Sequence, residues 1–597
     1  MISNRLRNFV TSISIFVLLM NCSGNRESGS DSKGLLQFPR EQTLYVGGFQ
    51  WGAPATFNPL AVTPAWPITG NMNLIYEALF GYDLLDGKLQ GVIGKSYEFK
   101  GASLEVALHE KARWQNGDHL TSDDVVYSFN LHKKYNTNFS NIWNGIVSVK
   151  KNGKHSVLFE LDPDEYNPLV LLDIISAVQI LPMRIFEIVE QKAFKLVAAE
   201  TGAAPSNEDV LNRIRDFKND VKPIGSGPYT LKTYTEEQIV LERVDDYWGN
   251  VLYDQKKPAP HYIIHRTYSS NDSFNIALKE GNLDISQTFC PQIWDKFQYG
   301  VGTWYRKEPY YKPGIMPALL MGISKSPFSD VNFRRAVVHA IDYEKIKQDA
   351  VYGYTPKLKP GLILPFGTEK GYFSEEDAKA FGTLYDPEKA KRILRDGGYK
   401  WGADGLLIGL DGKKIRTLYA TCPKGWTDWE MTIKIAVEGL RETGIDVQEK
   451  FIEYQQWDNL LKRGLFDFTM KTPQPEQSAS LPWARFDRVM SARELRPVGE
   501  IMYYNEGRYK NPVADSLLKN IPQMTDPDQI REAYRKLNRL FMEEMPIIPL
   551  MYRPWLFYQF STKHWSNFPT ESNPYAPPQC LMVGAGITAL WGIKANN

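Results

Sequence analysis

Trp114-Gln115-Asn116-Gly117-Asp118-His119-Leu120-Thr121-Ser122-Asp123-Asp124-Val125-Val126-Tyr127-Ser128 is the stretch from which the fold class can be read. It is a turn feeding a capped helix. Thr121 can accept the first free backbone N–H groups, and Asp124, three residues on, completes a capping box. Asp123 and Asp124 suit the positive end of the helix, and Val125, Val126 and Phe129 form its apolar side. Upstream, Leu104, Val106 and Leu108 alternate as a strand. The same strand-then-helix grammar recurs outward. Thr43-Leu44-Tyr45-Val46-Gly47-Gly48 reads as a strand, followed by a Pro-rich loop through Trp51, Pro54, Asn58-Pro59, Pro64 and Pro67. Asp386-Pro387 and Asp526-Pro527 each place a capping residue before a proline at the first helical position. Phe333, Ala336, Val337, Ala340 and Ile341 make another inward stripe. The expected class is α/β with mixed sheets.

At 597 residues the chain exceeds what one core supports, about 250–300 residues, so two or three lobes are expected. Hydrophobic residues at 43% and charged residues at 23% are ordinary for a globular protein. With 70 basic against 69 acidic residues, the basic footprint of a nucleic-acid binder is missing. No apolar run reaches the roughly 18 residues of a membrane span. Aromatic side chains make up 13%, a large stock of flat faces to bury or to offer to a ligand.

Arg5 and Arg7 followed by the apolar stretch at 9–20 read as a signal peptide over residues 1–21. Leu19-Met20-Asn21-Cys22 resembles a bacterial lipobox, with Asn21 in place of the usual small residue, so Cys22 is the expected lipidation site. Residues 22–40 then form a lipidated flexible tether. Cys290, Cys422 and Cys580 match no zinc pattern, and their spacing fixes no disulfide pairing.

Catalytic constellations are missing. His109 and His119 flank a turn, and His261 and His265 sit in a strand-like run without a carboxylate or Cys cluster beside them. Gly584-Ala585-Gly586-Ile587-Thr588-Ala589 mimics a dinucleotide fingerprint, but no room for a βαβ unit follows it. Gly225-Ser226-Gly227 lacks the outer glycines of a nucleophile elbow. No enzyme activity, cofactor or metal is expected.

Five segments, in order, resemble the extracellular solute-binding proteins of family 5, the oligopeptide- and dipeptide-binding proteins of ABC importers. The first is the opening stretch. The second joins Pro223-Ile224-Gly225-Ser226-Gly227-Pro228-Tyr229 to Arg243-Val244-Asp245-Asp246-Tyr247-Trp248. Ala277-Leu278-Lys279-Glu280-Gly281-Asn282-Leu283-Asp284 is the third, residues 327–342 the fourth, and Tyr385-Asp386-Pro387-Glu388-Lys389-Ala390 to Gly397-Gly398-Tyr399 the fifth. The resemblance implies a two-lobed type II periplasmic-binding-protein fold with hinged lobes. It places lobe I at 41–308, with an extra subdomain at about 81–221. Lobe II spans 309–545, and residues 546–597 return to lobe I. It also implies a monomer that meets an ABC permease, on the periplasmic side or at the cell surface, held to the membrane through Cys22.

Peptide-binding members of that family resemble one another in an acidic segment after a strand like Phe466-Asp467-Phe468, where an Asp meets the peptide α-ammonium. Here residues 471–483 hold no Asp, and only Glu476 could replace it. Members that bind cello-oligosaccharides are the better likeness, through Gly47-Gly48 with Trp51, Pro54 and Phe57-Asn58-Pro59, and through Trp565 with Phe568-Pro569-Thr570 and Asn573-Pro574-Tyr575. A sugar has apolar C–H faces that stack on indoles and hydroxyls that need amides and carboxylates. The expected ligand is therefore a β-linked, cellobiose-like oligosaccharide. Its expected contacts are Trp51, Asn58, Trp426 and Trp483, then Trp429, Trp457 and Trp555. The alternatives are an oligopeptide- or dipeptide-binding protein of the same fold, and a secreted glycosidase with paired carboxylates.

Overall fold

The computed structural model describes residues 38–69, 71–137, 143, 145–473 and 478–596. The expected signal peptide, Cys22, the tether as far as residue 37 and Glu476 lie outside them. The tether was expected to reach residue 40, yet residues 38–40 already belong to the fold. The Phe38 ring lies 4.7 Å from that of Tyr262, and Arg40 reaches 2.5 Å from Asp284, whose side chain is fully buried. A buried carboxylate needs such a partner.

The architecture is two-lobed α/β. The first lobe is built on a seven-stranded sheet in the order Val301–Thr303, Gln559–Ser561, Ile285–Ser286, Thr43–Gly47, Tyr262–Arg266, Gln238–Arg243, Tyr229–Tyr234. Thr43–Gly47 runs parallel to both of its neighbours and the other pairs are antiparallel. Successive residues feed opposite faces: Leu44 and Val46 enter one apolar core, Tyr45 the other. Both faces are covered, as expected of a sheet with parallel strands. The second lobe holds a five-stranded sheet, Val447–Ile452, Leu418–Pro423, Phe468–Lys471, Ala318–Met321, Ile547–Pro549. A four-stranded antiparallel sheet, Gly94–Phe99, Ser103–Leu108, Ser156–Leu161, Ile146–Lys151, stands apart from both. Pro313–Ile315 and Arg553–Pro554 pair as a two-stranded ribbon where the chain passes between the two mixed sheets.

The helix expected after Thr121 runs over Ser122–Lys134 with its capping box complete: Asp123 N–H donates to Thr121 Oγ1 at 3.3 Å and Thr121 N–H to Asp124 Oδ2 at 3.0 Å. The helices after Asp386 and Asp526 form at Pro387–Asp396 and Pro527–Glu544, each capped by that Asp. The recurring segments lock onto one another. Gln115 Nε2 donates to the carbonyls of Gly227 and Tyr229 at 3.0 and 2.8 Å, and Trp248 Nε1 donates to Ser226 O at 3.0 Å. A Cβ on Gly225 would lie 1.8 Å from Ile75 O, and one on Gly227 2.4 Å from Leu74 O. Glycine there permits backbone to pack on backbone.

Candidate functional site

A cavity of about 1190 Å³ opens between the two mixed sheets, larger than the roughly 300–1,000 Å³ usual for small-molecule sites. Its walls come from the loop after the first strand, from helices beside the four-stranded sheet, from the second lobe, and from the ribbon near Arg553.

His265, in the Tyr262–Arg266 strand, sets the loop that carries Trp51. The imidazole is fully buried and its Nε2 accepts the N–H groups of Phe49 and Gln50, each at 3.1 Å. Burial pushes its pKa down to about 3, which keeps the ring neutral and able to accept. Trp51 then packs 5.2 Å from Phe274 and 5.9 Å from Trp426. Trp426 is the N-cap residue of the Thr427–Glu442 helix, and Gly425, at φ +86°, makes the turn into it. From Trp426 the aromatic wall continues to Trp429 at 4.9 Å, Tyr454 at 6.0 Å and Trp457 at 6.1 Å.

Trp51, Trp426, Trp429, Trp457, Trp483 and Trp555 all line the cavity. Trp51, Trp426 and Trp555 are half-buried and keep an open face, whereas Trp429, Trp457 and Trp483 are buried. Trp457 Nε1 donates to Thr469 Oγ1 at 3.0 Å and Trp483 Nε1 to Leu518 O at 2.9 Å, so both indoles are fixed from behind. Asn58 stands elsewhere. It is fully buried, its Nδ2 donates to Ile214 O at 2.9 Å and its Oδ1 accepts Leu60 N–H at 3.0 Å. The amide closes its own loop, which leaves nothing for a ligand. Trp66, another tryptophan of that loop, is core.

The carboxylates in the wall are mostly engaged. Asp428 accepts from Arg553 Nε at 2.8 Å and Asp458 from Lys462 at 2.5 Å. Asp487 pairs with Arg493, Glu506 with Lys471, and Glu165 with Lys519 at 3.8 Å. Asp173, on the Pro168–Ala177 helix, reaches the second lobe and accepts Ser478 Oγ at 2.6 Å, Ala479 N–H at 2.7 Å and Ser480 N–H at 3.3 Å, with Ser480 Oγ as a fourth donor. Burial outweighs those donors and pushes its pKa up to about 6. Asp164, exposed in a turn, is the lining carboxylate with neither a cation at salt-bridge distance nor such a cage among the described residues. Tyr454 and Asp173 had no sequence signal: one is an aromatic on an ordinary amphipathic helix, the other meets its partners across some 300 positions.

The family model for bacterial extracellular solute-binding proteins, family 5 middle, matches residues 96–480. A mannohexaose-bound periplasmic oligopeptide-binding protein from Thermotoga maritima superposes with a TM-score of 0.83 at 31% identity, over 94% of this chain and 100% of that one. The probable peptide-binding protein YejA of Agrobacterium fabrum is 24% identical, over 91% of this chain and 88% of its own. The oligopeptide-binding protein AppA of Bacillus subtilis is also 24% identical, over 90% and 91%.

Proposed function

The chain belongs to the bacterial extracellular solute-binding proteins of family 5, and on that footing we propose that it captures an oligosaccharide between its lobes and hands it to an ABC permease. It is a substrate-binding protein of an ABC transporter, from a family whose members bind rather than transform their ligands. The observation that carries the sugar is the wall itself. Trp51, Trp426 and Trp555, each half-buried, line a cavity whose volume of about 1190 Å³ has room for an oligomer. Pyranose C–H faces stack on such rings, and hydroxyls find the polar atoms between them. An α-ammonium would need a free buried carboxylate, since a desolvated charge without a partner costs several kcal/mol, roughly. Asp173, Asp428, Asp458, Asp487 and Glu506 already have donors of their own. The mannohexaose in the Thermotoga maritima structure supports the same choice.

A peptide is the second reading, and by the names of the relatives alone it is the better backed. Asp164 favours it too, because its exposed carboxylate is open to an ammonium. The bounds proposed for the lobes are 41–308 with 546–597, and 309–545, with an extra subdomain at about 81–221. The ribbon of Pro313–Ile315 with Arg553–Pro554 is the proposed hinge, about which the lobes close on the ligand. Cys22 is the proposed lipid anchor, holding a monomer outside the cytoplasm.

Calorimetry and thermal melts with cello- and manno-oligosaccharides beside tri- to nonapeptides test the choice. Sugars are expected to bind and raise the melting temperature. If peptides alone do so, the sugar is wrong and the peptide stands.

A further inference from the structure

Six lysines and arginines line the cavity, and five of them sit at salt-bridge distance from a carboxylate. Arg488 is the sixth. It projects from the Trp483–Met490 helix, half-buried, with no carboxylate at that distance among the described residues. Its neighbour Asp487 feels it only at longer range and is taken by Arg493. Glu506 is likewise taken by Lys471.

The guanidinium is nevertheless held in place. Its central carbon lies 4.4 Å from the centroid of the Tyr504 ring, and Nη2 is 3.5 Å from Tyr504 Oη. The Arg488 carbonyl accepts Asn505 N–H at 2.6 Å, which ties the helix to the segment that carries Tyr504. A guanidinium has five N–H donors, so one held over an aromatic ring with a single long hydrogen bond keeps donors for a further partner. An orientated fork of N–H groups in a partly dry wall is built for a planar anion, which it can take through two parallel hydrogen bonds.

We propose that Arg488 is the docking point for an anionic group of the ligand, a carboxylate above all, and so a specificity-determining residue of the cavity. This rests on the cavity being the ligand site, and it narrows the ligand to one that is acidic at one position. A uronic acid in an oligosaccharide and the C-terminal carboxylate of a peptide offer the same chemistry. In either case an ester or amide removes the charge and one acceptor while preserving the shape.

Titration calorimetry on the full mature protein compares matched pairs. The probes are trigalacturonate against its methyl ester, and a tetrapeptide acid against its C-terminal amide, with wild type, R488Q and R488K. In the class that binds, the acid is expected to bind at least tenfold more tightly than its partner. That gain should shrink with added salt, vanish in R488Q and survive in part in R488K. A melting temperature and a far-ultraviolet circular dichroism spectrum that match wild type report that R488Q is folded. Acid and ester binding equally, or a gain that persists in R488Q, would overturn the role of Arg488 and leave the site standing. No binding by any probe would overturn both.

Discussion

Trp51 and Trp426 belong to different lobes, yet their rings meet 5.9 Å apart at a tilt of 49°. One rides a loop fixed by a neutral histidine, the other caps a helix of the second lobe. This contact spans the proposed jaw where a ligand would enter.

Trp426→Ala should therefore weaken ligand binding by about 1–2 kcal/mol, a factor of about five to thirty. Trp51→Ala should act similarly. Because the rings touch, the double variant should lose less than the summed single losses, which calorimetric titration of all four proteins would reveal. Strict additivity would mean that the rings do not share a ligand.

Asp173 crosses between the same lobes further along. Asp173→Asn keeps the shape but turns one acceptor oxygen into a donor that faces Ser and amide donors. A buried hydrogen-bond mismatch costs about 1–3 kcal/mol. The expected outcome is a larger radius of gyration in small-angle scattering without ligand, together with weaker binding. An unchanged radius would show that other contacts hold the lobes together.

Glu77 accepts Tyr247 Oη at 2.5 Å and Trp248 Nε1 at 3.3 Å, and burial pushes its carboxyl up to about 7 against those hydrogen bonds. The folded chain thus holds this proton up to about 7, while the unfolded chain releases it near 4.5. Between those values the native state binds more protons, so this group's contribution to stability falls as pH rises. His265, kept neutral by burial, acts in the opposite sense at lower pH. The quantity to read is therefore the difference between variants. Melting curves from pH 4.5 to 8 should show Glu77→Gln gaining on wild type as pH rises, by an amount on the order of a few kcal/mol.

Arg485 and Glu369 form a fully buried bidentate pair at 2.6 and 2.8 Å. Glu369→Gln leaves the guanidinium without its counter-charge and should cost about 3–5 kcal/mol in chemical denaturation. Replacing both partners, as Arg485→Met with Glu369→Leu, should cost less. A double variant no better than the single one would assign the loss to packing.

What the chain discloses by inspection is local. Thr121 with Asp124, Asp386 with Pro387 and Asp526 with Pro527 announce helix starts because the capping groups are neighbours in sequence. Trp51, Trp426 and Trp555 could be picked out as candidates because tryptophans beside polar residues are chemically conspicuous, whereas Tyr454, in the same cavity wall, carries no such sign. Asn58 was misleading: an amide beside a tryptophan looks available until Ile214 and Leu60 are seen to occupy it. Asp173 and Arg488 could not be singled out, because what sets them apart is the presence or absence of a partner contributed by a distant segment.

The strand Gln559–Ser561 lies between Ile285–Ser286 and Val301–Thr303. Two mid-chain segments are thus bridged only by one that lies far beyond them in sequence. Without those later residues the first lobe has a gap in its backbone pairing, whereas the sheet of the second lies wholly within residues 318–549. A chain cut after residue 549 would thus retain every strand of the second sheet and lack the one that joins two strands of the first.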